Sequence, residues 1–385
     1  MSIQISLWTI AGFFLYHAVF VNIAYIPNYT VFIAGAVLVC FLCAIKNLKK
    51  VFYYKFQIIN LIGFLYILLT ALTAFKNEKL FPGTIYSSSL YILQVLALII
   101  ILEESAVNKT IEKIINVFYK LTFVYCIITD VLVFAKHDLV NINNQNYLVG
   151  TKFNVAYFHI FLIVFYLYFN GDKIRELNRR AIGFYLSVLW SFIISLRVDC
   201  STGTIGTAVI LVLFFLKDWN WGRPGGWLAT LVVCDTTLLF YNTVILSNVH
   251  VRNFITNVLH RSTDLTGRVR IYMNIWPVIF DRPLLGYGIN NYYTILIEKI
   301  AAANAQNGVL NLVIQSGILG AIAYILLAYY CIAKSNYKKA PAFIFIILYM
   351  TVLSSVEITL SLRFLVFAVL LFFVTFEKDD INEGW

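Results

Sequence analysis

The sequence predicts an all-α integral membrane protein, and three observations carry that prediction. Hydrophobic residues make up 61% of the 385-residue chain and charged residues only 12%, about half the roughly 25% usual in soluble domains. The apolar residues gather in blocks of roughly 17–25, the length at which a helix crosses a bilayer. The basic residues between blocks collect in alternate loops, the asymmetry that orients a chain in a membrane.

About twelve spans are expected, at 6–26, 29–45, 56–74, 85–102, 117–135, 154–170, 181–197, 201–216, 227–247, 306–333, 341–356 and 361–376. They form a single polytopic domain over residues 1–385. The first block has neither a basic leader nor a small-residue cleavage site, so it reads as a retained helix. "KNLKKVFYYK" after the second span, "GDKIRELNRR" after the sixth and "KSNYKK" after the tenth carry the lysines and arginines. These loops belong on the cytoplasmic face, which puts both termini inside, in the cytoplasmic membrane of a bacterium. Five of the six cysteines fall inside apolar blocks and read as small core residues. Cys40 and Cys43 have CxxC spacing without a second pair, so no metal site is read there. With the basic residues assigned to the inner loops and one outer loop, nothing calls for a nucleic-acid partner.

The outer loop, 248–305 between spans nine and ten, departs from the rule that outer loops are poor in positive charge. It holds Arg252, Arg261, Arg268, Arg270, Arg282 and Lys299 against Asp264, Asp281 and Glu298. An arginine offers a planar fork that takes a phosphate bidentately and keeps its charge. An anionic ligand on the outer face therefore explains the cluster, and Arg268, Arg261, Arg270 and Arg252 are its candidates. The alternative is an interfacial helix with snorkelling arginines. "LTGRVRIYMNIWPVIF" has Ile271, Ile275, Val278 and Ile279 at helical spacing, with Tyr272 and Trp276 on a neighbouring stripe. One short helix capped by Thr266 and lying on the membrane surface is expected, ended by Pro283. Gly286, Tyr287 and Gly288 would then form a tight turn beside the ligand.

Two further clusters join it. "LRVDCSTGTIG" places Arg197, Ser201 and Thr202 at an outer boundary, where a helix N-terminus favours anions. Close packing of small residues would explain the same pattern. "NAQNGVLNLVIQSGILG" aligns Gln306, Asn307, Asn311 and Gln315 as a polar stripe on span ten, facing either a cavity or a neighbouring helix. Glu357 and Arg363, in the last turn, are expected to pair with each other.

Together these segments resemble the O-antigen polymerase and ligase superfamily, the Wzy-type polymerases and their ligase relatives. The resemblance rests on Thr266, Gly267, Arg268, Trp276, Pro283, Leu284, Gly286 and Gly288, and on Asn307, Leu310, Gly317 and Gly320. It implies an enzyme on the outer face that joins polyprenyl-diphosphate-linked oligosaccharide units into a surface polysaccharide: capsule, exopolysaccharide or O-antigen. It implies a chain-length-regulating partner as well. Arg268 and Arg197, with Gln306 and Asn307, would be the catalytic residues. Arg261, Arg270, Arg252, Ser201, Thr202, Tyr287, Gly286 and Gly288 would bind substrate. No cofactor or metal is expected, because a diphosphate is already a good leaving group. Two departures favour polymerase over ligase. The family's frequent histidine is Gln306 here, which cannot act as a base. The arginine many members carry after the serine is Thr202. A lipid-linked oligosaccharide flippase is the alternative from another class; it should carry charge within its spans. Here only Asp130, Asp235 and Lys120 stand out there. His250, His260, Asp264, Asp281 and Glu357 are all open as a general base.

Overall fold

The computed structural model describes residues 6–21, 23, 28–45, 56–135, 146–174, 178–216, 223–239, 248–253, 256–257 and 268–382. The first helices are α1 (Leu7–Val19), α2 (Tyr29–Ile45), α3 (Gln57–Asn77), α4 (Thr84–Val107) and α5 (Ile111–Phe134). A small antiparallel hairpin, β1 (Asn146–Tyr147) with β2 (Gly150–Thr151), leads into α6 (Lys152–Asn170), α7 (Arg179–Arg197), α8 (Ser201–Phe215) and α9 (Pro224–Leu239). The 248–305 loop contributes α10 (Val249–Asn253), α11 (Arg268–Asn274), α12 (Trp276–Asp281) and α13 (Tyr292–Ile300). The chain closes with α14 (Gly308–Lys334), α15 (Pro341–Ser354) and α16 (Leu362–Asn382).

Among the described residues, six helices are long and apolar enough to cross a membrane: α3, α4, α5, α6, α7 and α14. Shorter apolar helices are α1, α2, α8, α15 and the first part of α16. The chain is an all-α membrane protein. Eleven of the expected spans overlap these helices; the ninth, 227–247, falls on α9, which is not among them, and continues past Leu239 outside the described residues.

Burial sorts the helices into an inner and an outer set. From Phe364 to Val374, α16 is apolar all round and buried all round, as a helix must be when no face meets solvent or lipid. It packs against α4, α14 and α15. By contrast, α3 and α7 expose Leu61, Phe64, Phe75, Leu186 and Leu189. Apolar side chains on the outside of a bundle are what a lipid solvent selects, since lipid tails offer no penalty for their exposure.

Helix ends are shaped by local chemistry. Asn178 caps α7, accepting from the backbone N–H of Arg180 and of Ala181, both at 3.0 Å. At the other end Asp199 takes a left-handed φ of 52°. Cys200 N–H then donates to Ser195 O at 2.8 Å and Asp199 N–H to Leu196 O at 3.1 Å, a Schellman closure that turns the chain sharply into α8. A similar closure at Lys109, with φ of 55°, ends α4. That helix runs past its expected end at 102, because an apolar window stops at the first charge and a hydrogen-bonded helix does not. It carries Glu103 and Glu104, both buried, and Asn60 Nδ2 donates to Glu103 Oε2 at 2.9 Å.

The 248–305 loop differs from its expectation in three ways. The single helix is two, α11 and α12, broken at Ile275. Pro277 has no N–H for the carbonyl of Met273, so the ladder cannot continue. Ile271, Ile275, Val278 and Ile279 are buried as expected, but against Ile295, Leu296, Leu310 and Ile314 of α13 and α14 rather than a membrane surface. Tyr272 and Trp276 do not share a surface: Tyr272 is buried, while Trp276 stacks on Phe280 and both are exposed. The expected cap, Thr266, lies outside the described residues.

The loop is tied to the bundle at a break in α14. Gly317 has φ 68° and ψ −180°, a conformation essentially reserved for glycine. The break frees backbone groups, and the Pro283–Gly288 segment satisfies them. Ile318 N–H donates to Pro283 O at 2.8 Å, Tyr287 N–H to Ile314 O at 2.8 Å and Gly288 N–H to Gln315 O at 2.8 Å. A Cβ on Gly317 would collide with the Leu284 carbonyl, and one on Gly286 with the backbone of Ile314 and Gly317. Non-helical backbone inside a membrane protein survives only where protein meets its hydrogen bonds, as here.

Candidate functional site

Several helix ends meet at one end of the bundle: the starts of α6, α8, α11, α14 and α16, and the ends of α7, α9 and α15. Consecutive helices of an antiparallel bundle alternate in direction, which is why starts and ends share this face. Arg268 begins α11 and is half-buried. Its Nη2 donates to Glu357 Oε1 at 3.1 Å and its Nε to Val356 O at 3.2 Å. The two side chains are only 19% and 12% exposed, so the pair is strongly coupled compared with a solvated one. Burial pushes the Glu357 carboxyl above its ordinary range, and the cations of Arg268 and Lys152 oppose that rise.

One turn along α11, the Tyr272 hydroxyl lies between two carbonyl acceptors that share its proton, Gln306 O at 2.8 Å and Ser355 O at 3.0 Å. Burial raises its pKa above the ordinary tyrosine range, so it remains a donor. Gln306 has a left-handed φ of 51°, and its N–H is held by Asn304 Oδ1 at 2.9 Å. Asn307 is fully buried and caps α14, accepting from Leu310 N–H at 2.8 Å. Its Nδ2 donates to Asp235 Oδ1 on α9 at 2.7 Å. Ser354 donates to the other oxygen of Asp235 at 3.1 Å. The expected polar stripe is therefore split: Gln306 and Asn307 precede α14, and only Asn311 and Gln315 lie on it.

The expected Glu357–Arg363 pair is not formed. Arg363 instead donates to Asn154 Oδ1 at 2.7 Å and to Phe20 O at 2.8 Å. The first turn of α16 aims it into the bundle, and Glu357 takes the partner from the 248–305 loop. Lys152 stands at the foot of α6 directly after the hairpin, 3.9 Å from Asp199. The turn that carries Ser201 and Thr202 follows Asp199 directly and so lies next to the foot of α6.

The other expected residues have other surroundings. Arg197 is exposed at the end of α7, near Tyr147. Arg270 is exposed and donates to Ala301 O at 3.1 Å. Arg252 is exposed on α10. Arg261 lies outside the described residues, as do Gly267, His260 and Asp264. Gly286 and Gly288 belong to the segment docked on α14. Tyr287 is buried between Arg282 and Lys299, 5.3 and 5.7 Å from its ring centre, and donates to Asp281 Oδ2 at 2.8 Å. Hydrogen bonds from Lys299 and Tyr287 hold the Asp281 carboxyl below its usual range. Arg282 reaches Asn77 on α3. These groups brace the loop.

Sequence reasoning missed Asp235 as a partner of Asn307, and Lys152, Asn154 and Arg363 as neighbours of the cluster. A lysine or aspartate near a span boundary carries no local signature, so only the packing reveals the association. A second buried cluster lies elsewhere in the bundle. Asp130 on α5 accepts from Trp190 Nε1 at 2.7 Å and lies 3.2 Å from His159 Nε2. Charge within the bundle is thus more extensive than the sequence suggested.

Residues 186–325 match a family model described as O-antigen ligase. The match runs from α7 through the 248–305 loop into α14 and takes in Arg197, Arg268, Asn307 and Gly317, but not Lys152, Glu357 or Arg363. A search of curated proteins found no match.

Proposed function

We propose that this chain, a member of the O-antigen polymerase and ligase superfamily through its residues 186–325, is a polymerase. It would join polyprenyl-diphosphate-linked oligosaccharide units into a surface polysaccharide on the outer face of the bacterial cytoplasmic membrane. The proposal includes about twelve spans, both termini inside and the long outer loop over the site. The observation that carries it is Arg268, a half-buried guanidinium one turn from Tyr272, whose hydroxyl holds Gln306 O next to Asn307, where helix ends converge.

In this reading a hydroxyl of one unit attacks the anomeric carbon of another, and polyprenyl diphosphate leaves. Charge develops on the diphosphate as the bond breaks, so a guanidinium there stabilises the transition state more than the ground state. Arg268 has this role, with exposed Arg197 and Arg270 drawing the diphosphate in, and Arg252 and Arg261 adding to the basic field. Ser201 and Thr202 serve as substrate contacts. Asn307 holds the start of α14 against Asp235, which fixes Gln306 and the Tyr272 hydroxyl beside Arg268. Tyr287, Gly286 and Gly288 contribute through the docked segment. No metal is needed, because the diphosphate is a good leaving group once neutralised. Gln306 in place of a histidine favours polymerase over ligase.

The test is deletion of the gene followed by sizing of lipid-linked glycans and surface polysaccharide. Single units exposed on the outer face, with long chains missing, are expected. Long chains accumulating on the carrier lipid would point to a ligase, and single units trapped on the inner face to a flippase.

A further inference from the structure

Arg268 is the group that the reading above, on which this inference rests, assigns to the diphosphate. In the structure that guanidinium is held by Glu357 at 3.1 Å, with both side chains mostly shielded from solvent. One fork cannot serve the carboxylate and a diphosphate in the same geometry. The reaction also needs a proton acceptor, and the neighbouring side chains offer few. Gln306 cannot accept a proton. Asp235 has both oxygens engaged, one by Asn307 and one by Ser354. Tyr349 and Cys200 are buried among helices, and Tyr157 is half-buried against the core. Lys152 is a cation.

We propose that Glu357 is the general base, and that donor binding unmasks it by drawing Arg268 from the carboxylate to the diphosphate. In the resting state the ion pair keeps a shielded carboxylate neutralised and occupied. When the diphosphate arrives, its greater negative charge takes over the guanidinium, and Glu357 is left as a carboxylate with no cation bonded to it. Such a carboxylate is a stronger base than a paired one. The acceptor hydroxyl gives its proton to Glu357, and its oxygen lone pair forms the new C–O bond. The old bond between the anomeric carbon and the phosphate oxygen breaks, and its electron pair leaves with the diphosphate. The proton then passes from Glu357 to water. The arrangement couples base strength to donor occupancy, so that no strong base faces bulk water in the empty site.

The test uses the purified full-length protein and inorganic diphosphate as the probe, with polymer formation read in a deletion strain carrying each variant. Glu357→Gln keeps the shape and removes the competing charge. It should bind diphosphate roughly tenfold tighter than wild type, while polymer formation falls by about a hundredfold or more. Wild-type polymer levels in that variant would overturn the base assignment. Binding no tighter than wild type would overturn the exchange. Glu357→Asp, which retracts the carboxylate without removing it, gives a second test. Tighter binding with slower polymer formation is expected there, and no change in either would overturn the proposal. A wild-type protein that binds no diphosphate would remove the exchange together with the donor site it rests on. A deletion strain with normal polymer would remove the polymerase reading itself.

Discussion

Arg268 shows what a residue can and cannot reveal from sequence. Its motif, followed by Trp276 and the Pro283–Gly288 run, marks it as a candidate ligand-binding arginine. Its partner was not legible, because Glu357 is far away in the chain and Arg363 is the nearer cation in sequence. The choice was made by packing, which turns Arg363 toward Asn154 and Phe20 O. On the account above, Arg268→Ala should abolish polymer formation while the protein stays in the membrane, since insertion depends on the spans. Arg268→Lys should also lose at least about tenfold, because one ammonium replaces a bidentate fork. Sizing the polysaccharide beside an immunoblot of the membrane fraction checks both, and wild-type chain length in the alanine variant would sink the assignment. The pH dependence belongs at this scale too. Lys152 and Arg268 hold the Glu357 carboxyl down against the rise that burial causes. Lys152→Met removes one of these cations, so the pKa of Glu357 should rise and the acidic limb of activity should move to higher pH. Arg268 remains paired with it. An acidic limb that stays in place would show that Glu357 does not control it.

The elements carry a different lesson. Span positions were legible because hydrophobic length is a chain-local property, and α2, α7, α8 and α15 begin close to where the pattern placed them. The break in α14 was not legible, since Gly317 in an apolar helix reads as a small packing residue. Only the docking of Pro283–Gly288 shows why glycine sits there. Gly317→Ala should therefore cost at least about 2 kcal/mol, combining a forbidden backbone conformation with a clash against Leu284. Thermal unfolding in detergent, read beside Gly225→Ala, where an added Cβ meets nothing, checks this. A Gly317 variant as stable as the Gly225 control would contradict it. The Lys299–Asp281 pair is a contrast. Its side chains are 41% and 51% exposed, so solvent screens the attraction. Lys299→Met should change stability by less than about 1 kcal/mol, despite a 2.7 Å contact. A larger loss in the same melting experiment would mean that the pair braces the loop more firmly than its exposure allows.

For the whole molecule, the bundle places Lys152, Arg268, Asn307 and Glu357 together at one end, and the proposed orientation, read from the basic loops, puts that end outside. A cysteine placed at exposed Tyr293 should react with an impermeant thiol reagent added to intact cells or spheroplasts. Labelling only after the membrane is opened would invert the topology and move the site to the cytoplasmic face. Composition supplied the membrane, and the loop charges supply only a proposed orientation. The convergence of five helix starts and three helix ends on one site needed the three-dimensional structure, because it joins residues that no local window contains. The central claim is that these convergent groups join lipid-diphosphate-linked sugars to one another. The most direct measurement gives the purified protein, in liposomes containing a chelator, a single kind of lipid-linked repeat unit and follows both product length and released polyprenyl diphosphate. The account predicts a ladder of lengthening glycans, with one diphosphate carrier released per bond formed and none from the Arg268→Ala variant. Transfer that occurs only when a different acceptor lipid is added, or release that is unaffected by the loss of Arg268, would contradict it.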